Sequence, residues 1–226
     1  MSIGSIKENI ILEKRVAVTP ETAKNLSGLG LNISLEKNYA NHLGITDRQY
    51  EEAGVKIYDS PLEVINNSKL ILKVDCPTEE EIKTLKEKTI LVGIFNPTKN
   101  ETKLKEILKK NINIFSLELL PRISRAQSMD VLSSQSNLAG YRAVIESIYE
   151  FEKAIPMMMT AAGTVPAAKV LVIGAGVAGL QAIATAKRLG AVVSATDVRA
   201  ASKEQVESLG GKFLTVKQEE KLETAG

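Results

Sequence analysis

Lys169-Val-Leu-Val-Ile-Gly174-Ala-Gly176-Val-Ala-Gly179 is the stretch on which the reading of this chain turns. Val170 to Ile173 is a short aliphatic run of the kind found in buried parallel strands. Leu180-Gln-Ala-Ile-Ala-Thr-Ala-Lys187 behind it is Ala-rich and helical in pattern. Three glycines at this spacing suit a strand that turns sharply into a helix beside a phosphate. Gly174 makes the tight turn, Gly176 lets the backbone approach a pyrophosphate, and Gly179 lets helix and strand pack closely. The helix amino terminus then offers free N–H groups and the positive end of its dipole. Taken alone the pattern is weak, because a glycine turn with no ligand is spelled the same way. The context adds weight: a second strand, 191–196, ends in Asp197, 18 residues beyond Gly179, near the roughly 20 expected for a carboxylate that accepts from ribose hydroxyls. A carboxylate there repels a 2′-phosphate, so NAD(H) is favoured over NADP(H). Arg199 is a counter-signal, since an arginine can hold that phosphate; solvent exposure or stacking on adenine are its other readings.

Outward from this stretch, Val170 to Ala186 carries no charge over 17 residues, close to the lower limit for a membrane span. Prolines and glycines interrupt the region around it, and a buried strand leading into a small-faced helix fits it better. No direct membrane span is expected.

Upstream the same alternation repeats. The segments 32–37, 69–75, 89–95 and 111–117 are short runs rich in Ile, Leu and Val and read as strands. Capping boxes stand between them: Thr46 with Gln49, Ser60 with Glu63, Thr78 with Glu81, Thr98 with Glu101 and, downstream, Ser202 with Gln205. Thr19-Pro20-Glu21 is a simpler start signal. Gly28 or Gly30, Gly54, Gly190 and Gly210 follow helical patterns as left-handed caps do. Alternation from end to end implies α/β units with parallel sheets and right-handed crossovers. One long helical pattern, from about Gln127 to Ala154, breaks the rhythm through Leu138, Tyr141, Val144, Ile145, Ile148 and Phe151. The expected organisation is therefore an N-terminal flavodoxin- or Rossmann-like α/β domain over 1–130, a connecting helix over 131–155, and a Rossmann domain over 156–226. Both domains should be doubly wound with parallel sheets. With its second strand at 191 and one more strand at Lys212–Val216, the second domain is expected to be truncated at the C-terminus.

Composition removes several function classes. The 226 residues are 44% hydrophobic and 25% charged, an ordinary globular balance. A net charge of +2 without strong basic clustering gives no nucleic-acid footprint. One cysteine, Cys76, and one histidine, His42, leave no internal disulfide and no His-based base or metal cage; no metal site is expected. The first residues reach charge before any apolar run, so no secretory signal is read there.

A second informative segment is Leu120-Pro-Arg122-Ile-Ser-Arg125-Ala-Gln127-Ser-Met-Asp130-Val-Leu-Ser133. On spacing alone it is equally a solvated loop with an N-cap. Arg122 and Asp130 could pair and hold Gln127 as a neutral amide able to hydrogen-bond a carboxamide.

Arg122-Ile-Ser-Arg-Ala-Gln-Ser-Met-Asp130 and Met157-Met-Met-Thr-Ala-Ala-Gly-Thr-Val-Pro166, within a likeness running from Glu13-Lys-Arg-Val-Ala-Val-Thr-Pro20 to the chain end, resemble domain I, the NAD(H)-binding component of the α subunit of proton-translocating NAD(P)⁺ transhydrogenase. The resemblance implies direct, Re/Si-specific hydride transfer from NADH here to NADP⁺ on a partner domain, driven by proton translocation through a membrane-spanning proton-channel subunit or domain. It implies that Arg122, Gln127 and Asp130 act around the nicotinamide, Gln127 also bridging toward the NADP(H)-binding domain. Ser128, Met129 and Ser133 come with them as cofactor contacts, alongside Gly174, Gly176, Val177, Gly179, Asp197, Val198 and Arg199. It further implies a homodimer, cytoplasmic and peripheral to the inner membrane through its partners, with NAD(H) in the cleft between its two domains and activity only with the partner domains present. The absence of histidine chemistry suits hydride transfer between two nicotinamides, which needs no general base.

Alanine dehydrogenase is a more distant likeness and supplies the rival. Its carboxylate-binding Arg and Lys resemble Arg15 and Lys73, but Ile94-Phe-Asn-Pro97 stands where that family places its catalytic His. A non-catalytic NAD-binding module is the third reading.

Overall fold

Short apolar strands alternate with capped helices through Met1–Asp130, the first of two compact units into which the chain divides; the second begins at Val131. The structure, a computed structural model, describes residues 1–215. The first unit runs β1 (Ser2–Ser5), α1 (Pro20–Gly28), β2 (Asn32–Glu36), α2 (Asp47–Glu52), β3 (Lys56–Tyr58), α3 (Pro61–Asn66), β4 (Leu70–Leu72), α4 (Glu79–Thr84), β5 (Ile90–Gly93), α5 (Glu101–Lys109) and β6 (Asn113–Ser116). Its six strands are all parallel, in the order β3-β2-β1-β4-β5-β6. That is the Rossmann order, with the sheet reversing direction of growth between β1 and β4.

Local chemistry explains the starts. Thr46, Ser60 and Thr78 close capping boxes with Gln49, Glu63 and Glu81, and Thr19 accepts from the Thr22 amide ahead of Pro20. Two expected boxes are absent. Thr98 does not cap α5, because the chain turns at Asn96 (φ +46°) and the Asn100 side chain donates to the Phe95 carbonyl, leaving Asn100 as the cap. Ser202 is the first residue of α8 (Ser202–Ser208) rather than its cap, a place held by Ala201. Gly30, Gly54, Gly190 and Gly210 do take positive φ behind their helices.

Two apolar clusters support this sheet. One gathers Ile65, Ile71, Leu91, Phe95 and Ile107, the other Val18, Leu35, Tyr39 and Tyr50. Neighbours Ile71 and Leu72 of β4 join different clusters, as alternation across a strand requires. Beneath β1 the Tyr39 hydroxyl donates to Ser5 Oγ (2.7 Å), whose own proton goes to the Leu72 carbonyl (2.7 Å). Burial pushes the Tyr39 phenol up to about 12.

The second unit contains α6 (Val131–Phe151), β7 (Met158–Thr160), β8 (Gly163–Val165), β9 (Lys169–Ile173), α7 (Val177–Arg188), β10 (Val192–Thr196), α8 and β11 (Lys212–Phe213). The strands β11-β10-β9 form a parallel sheet, and β7-β8 is an antiparallel hairpin. The hairpin departs from the all-parallel alternation that the sequence suggests. Of the expected strand Lys212–Val216, Lys212 and Phe213 pair with β10, while Val216 lies outside the described residues. The long helix begins at Val131, not near Gln127, because Ser124–Met129 forms a 3-10 turn that ends at Asp130. The expected stripe is buried in part: Val144 is buried and Ile145 and Ile148 are half-buried, whereas Leu138, Tyr141 and Phe151 are exposed and Gly140 is buried instead. The cause is close packing on α7, where a β-carbon on Gly140 would stand 2.0 Å from the Ala178 carbonyl oxygen. The core of this unit gathers Val144, Ile155, Ala182, Ile183, Ala186, Val193 and Val206. No described helix is long and apolar enough to cross a membrane.

Candidate functional site

In the second unit the glycine-rich turn joins the end of β9 to the start of α7. Gly174 has φ +93°, a conformation that L side chains rarely adopt. A β-carbon on Gly179 would lie 1.8 Å from the Gly174 carbonyl oxygen, so helix and turn touch only because that carbon is missing. Gly176 is different: its absent β-carbon would face open space, with Arg199 Nη2 at 3.9 Å as the only atom within reach. Each glycine thus meets one of the three demands that a bound pyrophosphate makes. Gly176 also caps α7, and the first-turn amides that follow, beginning at the exposed Val177, have no intrahelical acceptor.

Asp197, at the end of β10, reaches back to this turn. Its Oδ2 accepts from the Ala175 amide at 2.6 Å, tying the turn to the second strand. Its Oδ1 accepts from the Arg199 amide at 2.8 Å and from Arg199 Nε at 3.1 Å, and Arg199 Nη2 lies 3.3 Å from Oδ2. The Arg199 guanidinium, aided by the two amides and opposed by partial burial, holds the Asp197 carboxyl down to about 2. Arg199 pairs with Asp197, because two residues apart on a tight turn is within reach of the guanidinium fork, and its side chain stays 41% exposed, in keeping with the expected solvent-facing position. Val198 between them is exposed. A dinucleotide fits these residues: an unobstructed glycine for the pyrophosphate, a helix amino terminus, and an ionised carboxylate at the ribose position.

The remaining expected site residues lie in the segment that ends the first unit at Asp130 and, for Ser133, in the first turn of α6. Arg122, Gln127, Ser128 and Met129 are exposed, Asp130 is half-buried where the 3-10 turn ends, and Ser133 is half-buried in the first turn of α6. Ala126 is the buried residue that anchors the turn.

The first unit holds a third group of charges, where its sheet reverses between β1 and β4. Lys73 is 3% exposed at its side chain and its ammonium contacts Glu81 at 2.9 Å and Glu8 at 3.3 Å. Glu8 also accepts from the Val74 amide at 2.7 Å. Burial raises the Glu8 carboxyl above its ordinary value against the opposing pull of Lys73. Arg15 is held by Glu13 through its backbone amide, Nε and Nη2. Cys76 is buried, and that burial pushes its thiol up. Among the described residues no cluster of His, Cys, Asp and Glu has the makings of a metal site.

Two participants escaped the sequence. Ala175 matters only through its amide, which no letter records. Gly140 had a visible signal, a glycine in mid-helix, that periodicity alone does not weigh.

Comparison with known proteins adds a second line. The alanine dehydrogenase/PNT N-terminal domain matches residues 4–139 and the C-terminal domain of the same family matches 143–225. The first component of the NAD(P) transhydrogenase alpha subunit of Rhodospirillum rubrum is 52% identical over 233 aligned residues, covering 100% of this chain and 61% of that protein. A solved transhydrogenase from Sinorhizobium meliloti superposes with a TM-score of 0.91 at 50% identity, covering 95% of this chain and 64% of that one. A solved L-alanine dehydrogenase shares the fold, with a TM-score of 0.81 at 22% identity over 94% of this chain and 60% of its own. The chain thus spans about three fifths of the length of these relatives.

Proposed function

We propose, for a chain that belongs to the alanine dehydrogenase/PNT family, that it is the NAD(H)-binding part of a proton-translocating NAD(P)⁺ transhydrogenase. The observation that carries this reading is the turn 174–179, whose three glycines each meet a separate steric demand and whose Ala175 amide is fastened to Asp197. NADH, when bound, supplies the hydride that passes to NADP⁺ on a partner domain. The chain's own residues do the rest. The open backbone at Gly176 and the α7 amino terminus take the pyrophosphate. Asp197, ionised at any physiological pH, accepts from the adenosine ribose hydroxyls, with Val177 and Val198 lining the same end. Arg122, Gln127 and Asp130 hold the nicotinamide, with Ser128, Met129 and Ser133 around it; Gln127, an exposed neutral amide, also faces the NADP(H)-binding domain.

No group here has to move a proton to or from a substrate. The protein's task is to hold one ring at reactive distance from another and to exclude water. Coupling to proton movement belongs to a membrane-spanning channel component. The chain works as a homodimer on the cytoplasmic side of the inner membrane, attached through those partners.

A reconstituted assay with the NADP(H)-binding and membrane components tests this. Gln127→Asn is expected to leave NADH affinity within about twofold and to slow hydride transfer to NADP⁺ by one to two orders of magnitude, on the order of what misplacing a reacting group costs. Unchanged transfer would remove Gln127 from the mechanism. Robust NADH oxidation with pyruvate and ammonia would instead favour an amino-acid dehydrogenase.

A further inference from the structure

We propose that Asp197 and Arg199 select the cofactor as a pair, the carboxylate keeping Arg199 from serving a 2′-phosphate, so that removing its charge converts the site to NADP(H) acceptance. This inference rests on the glycine turn being the dinucleotide site.

The ordinary account gives discrimination to the carboxylate alone, by repulsion of the phosphate. Here the group that would welcome a 2′-phosphate is already present. Arg199 places Nη2 3.9 Å from the missing β-carbon of Gly176, beside the backbone that a pyrophosphate would approach. Its Nε and Nη2 are both directed at Asp197, at 3.1 and 3.3 Å. Carboxylate and phosphate compete for the same planar fork. The carboxylate wins because it sits two residues away, and because the Ala175 and Arg199 amides fix its position. A phosphate reaching the guanidinium would also have to approach the Asp197 charge. Attraction is therefore cancelled at the place where repulsion is exerted, and neither residue alone accounts for the preference.

Asp197→Asn separates the two roles. The Asn carbonyl can still accept from the Ala175 amide, which preserves the turn, while the guanidinium loses its ionic partner and becomes free to turn to a 2′-phosphate. Calorimetric titration with NADH and NADPH, on the full chain and on Asp197→Asn, Arg199→Ala and the double variant, reads the outcome. NADPH should bind Asp197→Asn on the order of tenfold more tightly than the unsubstituted chain, the scale of one charge-assisted hydrogen bond. The double variant should lose that gain, and Arg199→Ala alone should bind NADPH no better. Arg199→Lys in the Asp197→Asn background should keep part of it, as a point charge in place of a fork. Should Asp197→Asn fail to melt cooperatively, Asp197→Ser carries the same comparison.

Two results overturn the pair: Asp197→Asn weakening NADH without gaining NADPH, or the double variant keeping the gain, which would leave repulsion as the sole device. If NADH binds neither the unsubstituted chain nor any variant, the dinucleotide reading of the turn falls, and the inference with it.

Discussion

A methyl group on Gly179 would stand 1.8 Å from the Gly174 carbonyl oxygen, too close for any relaxation short of moving α7. Gly179→Ala should cost roughly 1–3 kcal/mol, the range for overpacking, seen as a lowered melting temperature with NADH binding lost. The glycines were legible in the sequence because sterics at a tight turn admit one residue type. The Asp197–Arg199 pair was not, since either residue alone has several ordinary uses and only the turn geometry joins them. Its pH consequence has a definite sign. The folded Asp197 carboxyl at about 2 lies below the unfolded value of about 3.9. The stabilisation is therefore fully present above about 3.9 and is lost as pH falls through about 2. NMR titration of the Asp197 carboxyl carbon should give a midpoint near 2, moved upward in Arg199→Ala; an unmoved midpoint would refute the ion pair as its cause. In the first unit, Lys73→Met strands Glu8 and Glu81 as buried or half-buried carboxylates without their cation. Its expected cost is about 3–5 kcal/mol in urea unfolding.

At the scale of elements, helices and capping signals read well where the backbone had no competing turn. Thr46, Ser60 and Thr78 behave as their spacing requires, whereas Thr98 loses its helix to the turn at Asn96. β1 went unread, though it is a central strand of its sheet. Ser2-Ile-Gly-Ser5 has little apolar content, and Gly4 is required there because a β-carbon would meet Ser68 Oγ at 2.3 Å. Strand propensity gives way at such a position to burial on both faces. The long helix α6 was legible by its length and period, and part of its buried face, Val144, Ile145 and Ile148, was legible with it. Close approach through Gly140 joins it to α7 beside the apolar contacts of Val144 and Ile148. Gly140→Ala should therefore push the two helices apart and destabilise the second unit by about 1–3 kcal/mol, while the same substitution at exposed Gly28, where nothing lies within 4 Å, should leave stability unchanged or raise it.

On the scale of the whole molecule, the alternation of strands and helices made two α/β units readable before any coordinate, and each has its own apolar core. Urea unfolding followed by hydrogen exchange should resolve two transitions, Lys73→Met lowering one and Gly140→Ala the other; a common shift would show a single cooperative unit. The sequence could not reveal where its methionines end up. Met1, Met129 and Met157 to Met159 are all exposed, and neither unit's core contains a thioether. Mild peroxide should then convert every methionine to the sulfoxide without unfolding the chain, so that oxidation becomes a surface label. Within that set Met129 lies in the segment proposed to hold the nicotinamide and Met1 does not. Saturating NAD⁺ should slow oxidation of Met129 relative to Met1 in a peptide mass map, turning an accident of exposure into a chemical footprint of the cofactor.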